Sequence, residues 1–122
     1  MGQTARTNAT ALTQLRSILE PLGVAVVGIP VLDPSGATLH LKSCISAIAP
    51  NFILAADNAA GHGVVATALS NPVLTKSWGG ARVKVVYVPD ALCANVLRIG
   101  SNVVMQHGEW EASSSKCWHG TD

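Results

Sequence analysis

Charged residues are scarce in this chain of 122 residues: Asp, Glu, Lys and Arg make up 12% of it, whereas hydrophobic residues make up 48%. Charged residues account for about a quarter of a typical soluble domain. So low a charge content predicts that much of the chain is buried. The formal net charge is +1, and Lys and Arg form no cluster in the sequence. We therefore expect neither a nucleic acid nor an anionic membrane surface as a partner, since both bind basic patches.

Long apolar runs and closely spaced cysteine pairs are also missing from the sequence. No run approaches the roughly 20 apolar residues that span a bilayer, and the N-terminus lacks the pattern of a secretory signal. The three cysteines, Cys44, Cys93 and Cys117, include no C-x-x-C pair of the kind that binds zinc. These absences predict a cytoplasmic protein. Its 122 residues are the length of one ordinary domain.

The segment from 39 to 51 alternates between apolar and polar residues, and this period of two predicts a half-buried strand. On such a strand His40, Lys42 and Cys44 would share the polar face. A histidine that faces a cleft from this position could transfer protons near neutral pH. A surface histidine without a catalytic role is the alternative that the pattern alone leaves open.

The remaining chain predicts alternating helices and strands. Asn8 and either Asp57 or Asn58 are candidate helix caps, and Asn71-Pro72 ends the second helix. The predicted strands outside the His40 segment are 24–31, 52–56, 82–88, 94–99 and 103–106, with a hairpin turn at 100–102. This order contains one complete strand-strand-helix-strand unit in the middle and half a unit at each end. We expect an α+β domain over residues 1–107 and a polar, disordered tail over 108–122.

Four short motifs carry a family resemblance. Residues 39–43 read Leu-His-Leu-Lys-Ser, and residues 2–8 read Gly-Gln-Thr-Ala-Arg-Thr-Asn, which is similar to a family segment Gly-x-Ser-x-Arg-Thr-Asn with Thr4 in place of Ser. Val88-Pro89-Asp90 with Ala94-Asn95, and then residues 102–105, follow in the same order. Together these motifs resemble part of the dimethylarginine dimethylaminohydrolases, which belong to the guanidino-group-modifying, or amidinotransferase, superfamily.

The resemblance implies a slice of a five-bladed α/β propeller, that is, a partial ring of strand-strand-helix-strand modules. It implies that His40 is the general acid for amine departure and then the base for water, and that Arg6 binds the substrate carboxylate. The substrate would be a methylated arginine, converted to citrulline and a methylamine through a thiouronium intermediate on a cysteine. The family requires no metal or other cofactor.

The nucleophilic cysteine of the family has no match in this chain. Cys117 lacks the preceding glycine and the strand pattern, and Cys44 would lie roughly 13 Å from His40 along a strand. The guanidinium-binding carboxylates have no match either, because Asp33 and Asp57 fall in turns and caps. The chain therefore reads as a fragment of the enzyme, and we expect negligible turnover from it alone.

Two other functions remain open at this point. A partial ring leaves strand edges uncovered, so the chain could be a non-catalytic interaction module that self-associates through those edges. An arginine deiminase-type hydrolase is the other alternative. Lys42 counts against it, because that relative tends to carry an acidic residue at this position.

Overall fold

The computed structural model describes residues 1–89 and 91–105, which form short strands and helices in an α+β arrangement. The strands are β1 (Gly2–Gln3), β2 (Ile29–Pro30), β3 (Ile45–Ala49), β4 (Phe52–Ala56), β5 (Lys84–Val88), β6 (Val96–Ile99) and β7 (Asn102–Met105). The helices are α1 (Ala9–Leu19), α2 (Ala59–Ser70), α3 (Pro72–Ser77) and α4 (Ala91–Ala94), with 3₁₀ turns at Glu20–Leu22 and Leu41–Ser43. The predicted tail over 108–122 lies outside the described residues.

The central unit runs from β3 through β4, α2 and α3 to β5. β4 lies in the middle of this three-stranded sheet, antiparallel to β3 and parallel to β5. Parallel neighbours need a crossover connection, which α2 and α3 provide. The strand-strand-helix-strand order expected from periodicity is therefore present, with one additional short helix.

Asparagine side chains cap three of the helices. Asn8 accepts a hydrogen bond from the Ala11 amide at 3.0 Å, and Asn58 accepts one from the Gly61 amide at 2.8 Å. Both caps were predicted, and both satisfy amide groups that the first helical turn leaves unpaired. Asn71 also caps α3, which the sequence reading missed: Pro72 ends α2 as expected but then occupies the first position of α3, where its ring is tolerated.

The main core lies where α2 packs against β4. Val64 of α2 is only 1% exposed, and Ala56 of β4 and Cys44 are fully buried beside it. Gly61 marks the closest approach of helix and strand, because a Cβ placed there would lie 2.0 Å from the Ala56 carbonyl oxygen. The small residues of this interface thus allow the helix backbone to approach the sheet closely.

Two predicted strands are wrong in extent. Of the segment 24–31, only Ile29–Pro30 is a strand, because its partner β1 is equally short and the two pair in parallel. Of the segment 94–99, the first residue closes α4 and the strand begins at Val96. Both segments are apolar, and an apolar run by itself does not distinguish a strand from other buried backbone.

Within residues 1–89 and 91–105, the strands form three separate small sheets rather than one continuous sheet. β6 and β7 make an antiparallel hairpin around Gly100, which has the positive φ of 61° that the tight turn requires. Within the described ranges, no helix combines the length and apolar composition needed to cross a membrane.

Candidate active site

His40 lies in a loop and not on a strand, so the predicted strand over 39–51 is wrong in its first half. The residue is exposed, has extended backbone angles (φ −138°, ψ 146°) and caps the 3₁₀ turn Leu41–Ser43. The Ser43 amide donates to the His40 carbonyl at 3.0 Å, and the Cys44 amide donates to the Leu41 carbonyl at 3.1 Å. These local bonds replace the ladder bonds of a strand, which starts only at Ile45.

The predicted polar face of His40, Lys42 and Cys44 is therefore also wrong. His40 and Lys42 are exposed, but Cys44 is fully buried and its thiol lies 3.2 Å from the Leu41 carbonyl oxygen. Burial raises the pKa of the Cys44 thiol, and the nearby charge of Asp33 acts in the same direction. Cys44 is thus unsuited to be a nucleophile because of its burial, whereas the sequence argument excluded it on a strand distance that does not apply.

The loop before His40 is organised by one carboxylate. Oδ1 of Asp33 accepts hydrogen bonds from the Ser35 hydroxyl at 2.6 Å and the Ser35 amide at 2.9 Å, and Oδ2 accepts one from the Thr38 amide at 2.7 Å. These bonds hold the pKa of Asp33 well below its usual range, the Ser35 hydroxyl contributing most. Asp33 therefore has the structural role in a turn that the sequence predicted for it.

Arg6 lies at the tip of a tight turn near the N-terminus. Thr4 and Thr7 exchange two backbone hydrogen bonds of 3.1 and 3.2 Å, and the Arg6 amide donates to the Thr4 hydroxyl at 3.0 Å. The Arg6 side chain is exposed, and its guanidinium has no hydrogen bond or ion pair with the other described residues. The backbone of this turn is thus fixed, and the guanidinium is exposed.

The fold brings the segment of Arg6 close to the turn of His40. A Cβ built on Gly2 would lie 2.6 Å from Cβ of Leu41, so the backbone of β1 lies directly against the residue that follows His40. β1 is held there by its pairing with β2, in which the Val31 amide donates to the Gln3 carbonyl at 3.0 Å. Gly2, four residues before Arg6, therefore lies against Leu41, the residue after His40, although Arg6 and His40 are 34 positions apart in the chain.

Lys42 has a role that the sequence analysis missed. Its ammonium donates hydrogen bonds to the Asn95 side-chain oxygen at 2.9 Å and to the Val96 backbone carbonyl. Asn95 accepts this bond directly before β6, at the entry to that strand. The partner could not be identified from a local pattern, since the two residues are 53 positions apart.

An open groove of about 550 Å³ lies beside this region. Its walls include Asp33 and Thr38 from the loop before His40, Asn58 at the start of α2, and Leu92 and Asn95 near α4. Neither His40 nor Arg6 lines it. The described residues thus place these two side chains on exposed surface and not within a closed pocket.

A second polar cluster lies at the end of β4. Nε2 of His62 is 2.8 Å from a carboxylate oxygen of Asp57, and the imidazole stacks on Tyr87 with ring centroids 4.1 Å apart. One carboxylate oxygen of Asp57 is therefore already paired with His62. In the part of the chain that the structure describes, no group of three or more His, Cys, Asp or Glu residues could hold a metal ion.

The described residues do not include the full set of cysteine and acidic side chains that guanidine chemistry needs. Cys93 is a buried residue, with 4% of its surface exposed. Cys117 and Asp90 lie outside the described residues. The structure therefore offers a histidine and an arginine on neighbouring segments, and it buries both of the cysteines that it describes.

Comparison with known proteins finds one kind of enzyme that matches part of the chain. No protein-family model matches the chain. Over 48 residues it is 46% identical to the N(G),N(G)-dimethylarginine dimethylaminohydrolase of Streptomyces coelicolor, a stretch that covers 39% of this chain and 17% of that protein. The chain is similar to part of a dimethylarginine dimethylaminohydrolase.

Two solved dimethylarginine dimethylaminohydrolase structures share the fold. A cysteine-to-serine mutant of the Pseudomonas aeruginosa enzyme, complexed with citrulline, superimposes with a TM-score of 0.61 and 25% identity over 88% of this chain. A histidine-to-glycine mutant, in an adduct with S-methyl-L-thiocitrulline, gives a TM-score of 0.62 and 24% identity over the same share. The chain spans 36% of the length of each of these dimethylarginine dimethylaminohydrolases.

Proposed function

We propose that this chain supplies the acid–base histidine and the carboxylate-binding arginine of a dimethylarginine dimethylaminohydrolase-type hydrolase. The observation that carries the proposal is the 46% identity over 48 residues to an enzyme of that name. The exposure of His40 and Arg6 on neighbouring segments supports it. The substrate is a methylated arginine, and the products are citrulline and a methylamine.

In this reaction a cysteine thiolate attacks the guanidinium carbon, and protonated His40 gives its proton to the departing amine. Water attacks the resulting thiouronium and gives one proton to His40; the thiolate then leaves, and the second proton passes to solvent as citrulline forms. Arg6 binds the α-carboxylate of the substrate, because its planar guanidinium presents two parallel donors. No residue of the described ranges is suited to be the nucleophile, so we expect no measurable citrulline from the chain alone. Citrulline formation above that of a His40→Ala variant would contradict this expectation.

Ligand binding tests the proposal without requiring turnover. We expect citrulline to shift the imidazole NMR signals of His40, since the product keeps the carboxylate that Arg6 would bind. Arg6→Gln should abolish the shift, whereas Arg82→Gln, which removes another exposed arginine, should leave it unchanged. A shift that is absent in the wild-type chain, or equal in both variants, contradicts the assignment. Repeating the titration with free arginine and with dimethylarginine tests the deiminase alternative, which requires the unmethylated substrate to be preferred.

The architecture of the complete ring belongs to the same proposal. The unit from β3 to β5 corresponds to one module, and the β6–β7 hairpin begins another. Three separate small sheets are consistent with modules arranged side by side, as in a five-bladed propeller. The cytoplasmic location and the domain boundary at residue 107 stay predictions.

A second candidate function is self-association through the β6–β7 hairpin. The hairpin is attached to β3 through Val96, whose amide donates to the Ser46 hydroxyl, but its opposed residues Leu97 and Val104 are 53% and 52% exposed. We propose that a second copy of the chain covers this pair. The mass measured by analytical ultracentrifugation should then rise with concentration. Val104→Lys should abolish that rise, whereas Ser101→Lys, in the adjacent turn, should not. A wild-type chain that stays monomeric at all concentrations contradicts self-association.

A further inference from the structure

The turn that follows His40 is tied to a distant part of the fold by Lys42. The Lys42 ammonium reaches two acceptors at the junction of α4 and β6, the side-chain oxygen of Asn95 and the backbone carbonyl of Val96. Hydrogen bonds from an ionised donor are shorter and stronger than those between neutral groups. A long lysine side chain loses much rotamer freedom when it is held in this way, so a side chain with two such acceptors is unlike an ordinary surface lysine.

The anchor at the other end of this contact is itself fixed. The Val96 amide donates to the hydroxyl of Ser46 at 3.3 Å, and Ser46 is a buried residue of β3. Val96 is only 4% exposed and pairs with Met105 across the hairpin. Lys42 therefore connects the His40 turn to backbone that is packed and hydrogen-bonded on its own account.

Lys42 is well placed to control the orientation of His40. It is the middle residue of the 3₁₀ turn that His40 caps, and the bond from the Ser43 amide to the His40 carbonyl closes that turn around it. A single turn of this kind has few hydrogen bonds of its own, and their geometry is poorer than in an α-helix. A contact from outside the turn, such as that of Lys42, therefore adds to its stability. The exposed imidazole itself has no hydrogen bond within the described ranges, so the backbone angles of His40 are what restrict its χ1 rotamers.

We propose that Lys42 is a positioning residue for His40, and that its contact with Asn95 and Val96 holds the histidine in one orientation for the proton transfers described above. The inference rests on the proposed function for what His40 does. Whether Lys42 restricts the orientation of His40 does not depend on that function, and it is measured separately. Lys42 itself touches no reacting atom in this account.

The test compares Lys42→Met, which keeps an aliphatic side chain but removes the donors, with Lys42→Arg, which keeps donors at that position. Lys76→Met is the matched control, since Lys76 is an exposed lysine of the short helix α3 and its ammonium makes no hydrogen bond or ion pair with other described residues. The first readout is the set of three-bond couplings that report the χ1 angle of His40. The second is the dissociation constant for citrulline, measured from the His40 signals.

In the wild type we expect couplings of a single rotamer. In Lys42→Met they should average over the three staggered wells of χ1. If only one of the three is competent, citrulline binding should weaken about threefold, since apparent affinity scales with the competent fraction. Lys42→Arg should restore both values, and Lys76→Met should change neither.

The outcomes separate this inference from the proposed function. Unchanged His40 couplings in folded Lys42→Met overturn the positioning role, even where citrulline binds. Absence of citrulline binding by the wild type overturns the proposed function, while the couplings still decide the positioning role. If Lys42→Met does not fold, Asn95→Ala removes one acceptor and leaves the lysine in place; averaged couplings there support the inference, and unchanged couplings overturn it.

Discussion

Two glycines on the same helix should respond in opposite ways to substitution by alanine. Gly61 and Gly63 both lie in the first half of α2 and both have negative φ, so neither needs glycine for its backbone conformation. A Cβ on Gly61 would lie 2.0 Å from the Ala56 carbonyl oxygen and 3.0 Å from its carbonyl carbon, whereas a Cβ on Gly63 would meet nothing within 4 Å. The contrast therefore isolates the packing of helix on strand.

The expected magnitudes follow from this geometry. Even to reach 3.0 Å, the Gly61→Ala contact must open by 1.0 Å, and the obstructing atoms are backbone of β4 that cannot rotate away. Overpacking of this kind costs about 1–3 kcal/mol or more, and the helix propensity gained from alanine offsets at most about 1 kcal/mol. We expect a net loss of about 2 kcal/mol for Gly61→Ala. Gly63→Ala should gain about 0.5–1 kcal/mol, since only the propensity changes.

Urea denaturation followed by far-UV circular dichroism measures both changes in the free energy of unfolding, and thermal denaturation followed in the same way gives the melting temperatures. At roughly 4 °C per kcal/mol for a domain of this size, the melting temperature should fall by about 8 °C for Gly61→Ala and rise by about 2–4 °C for Gly63→Ala. Equal effects of the two substitutions, or a Gly61→Ala variant as stable as the wild type, would refute the close approach of α2 to β4.

Three further predictions concern single side chains. Asp33→Asn should destabilise the fold at neutral pH, because the amide nitrogen cannot accept a hydrogen bond from the Thr38 amide. Folding lowers the pKa of Asp33, so the difference in stability between the two proteins should shrink as the pH falls below the ordinary carboxyl value of 3.8. A difference in urea midpoint that is equal at pH 7 and pH 3 contradicts this prediction. Cys44 should be alkylated far more slowly in the native chain than in 8 M urea, as mapped by mass spectrometry at about pH 8, because its thiol is buried and its pKa is raised; similar native and denatured rates would show that the site opens freely. Asn71→Ala should cost about 1 kcal/mol in the same urea assay, because two amides of α3 lose their cap, and no change would mean that α3 is held by packing alone.

Local hydrogen bonding explains which elements could be predicted. A cap depends on an asparagine and an amide two or three residues further along, so the sequence near Asn8 and Asn58 contains what is needed. The strand over 52–56 is likewise bounded by its own turn and cap signals. Alternation failed for the His40 segment because His40 and Lys42 are exposed on either side of Leu41 in a 3₁₀ turn, and two polar residues two positions apart do not distinguish such a turn from a strand.

The amino-acid sequence by itself determined the α+β class, the capped helices and the family resemblance, and the comparisons support that resemblance over part of the relatives' length. Only the tertiary structure decided that Cys44 is buried, that Lys42 reaches Asn95, and that Gly61 but not Gly63 is confined. Each of these depends on backbone from a different element. Contacts between segments are set when the elements pack together, and a local pattern along the chain contains no record of which distant atoms will lie opposite.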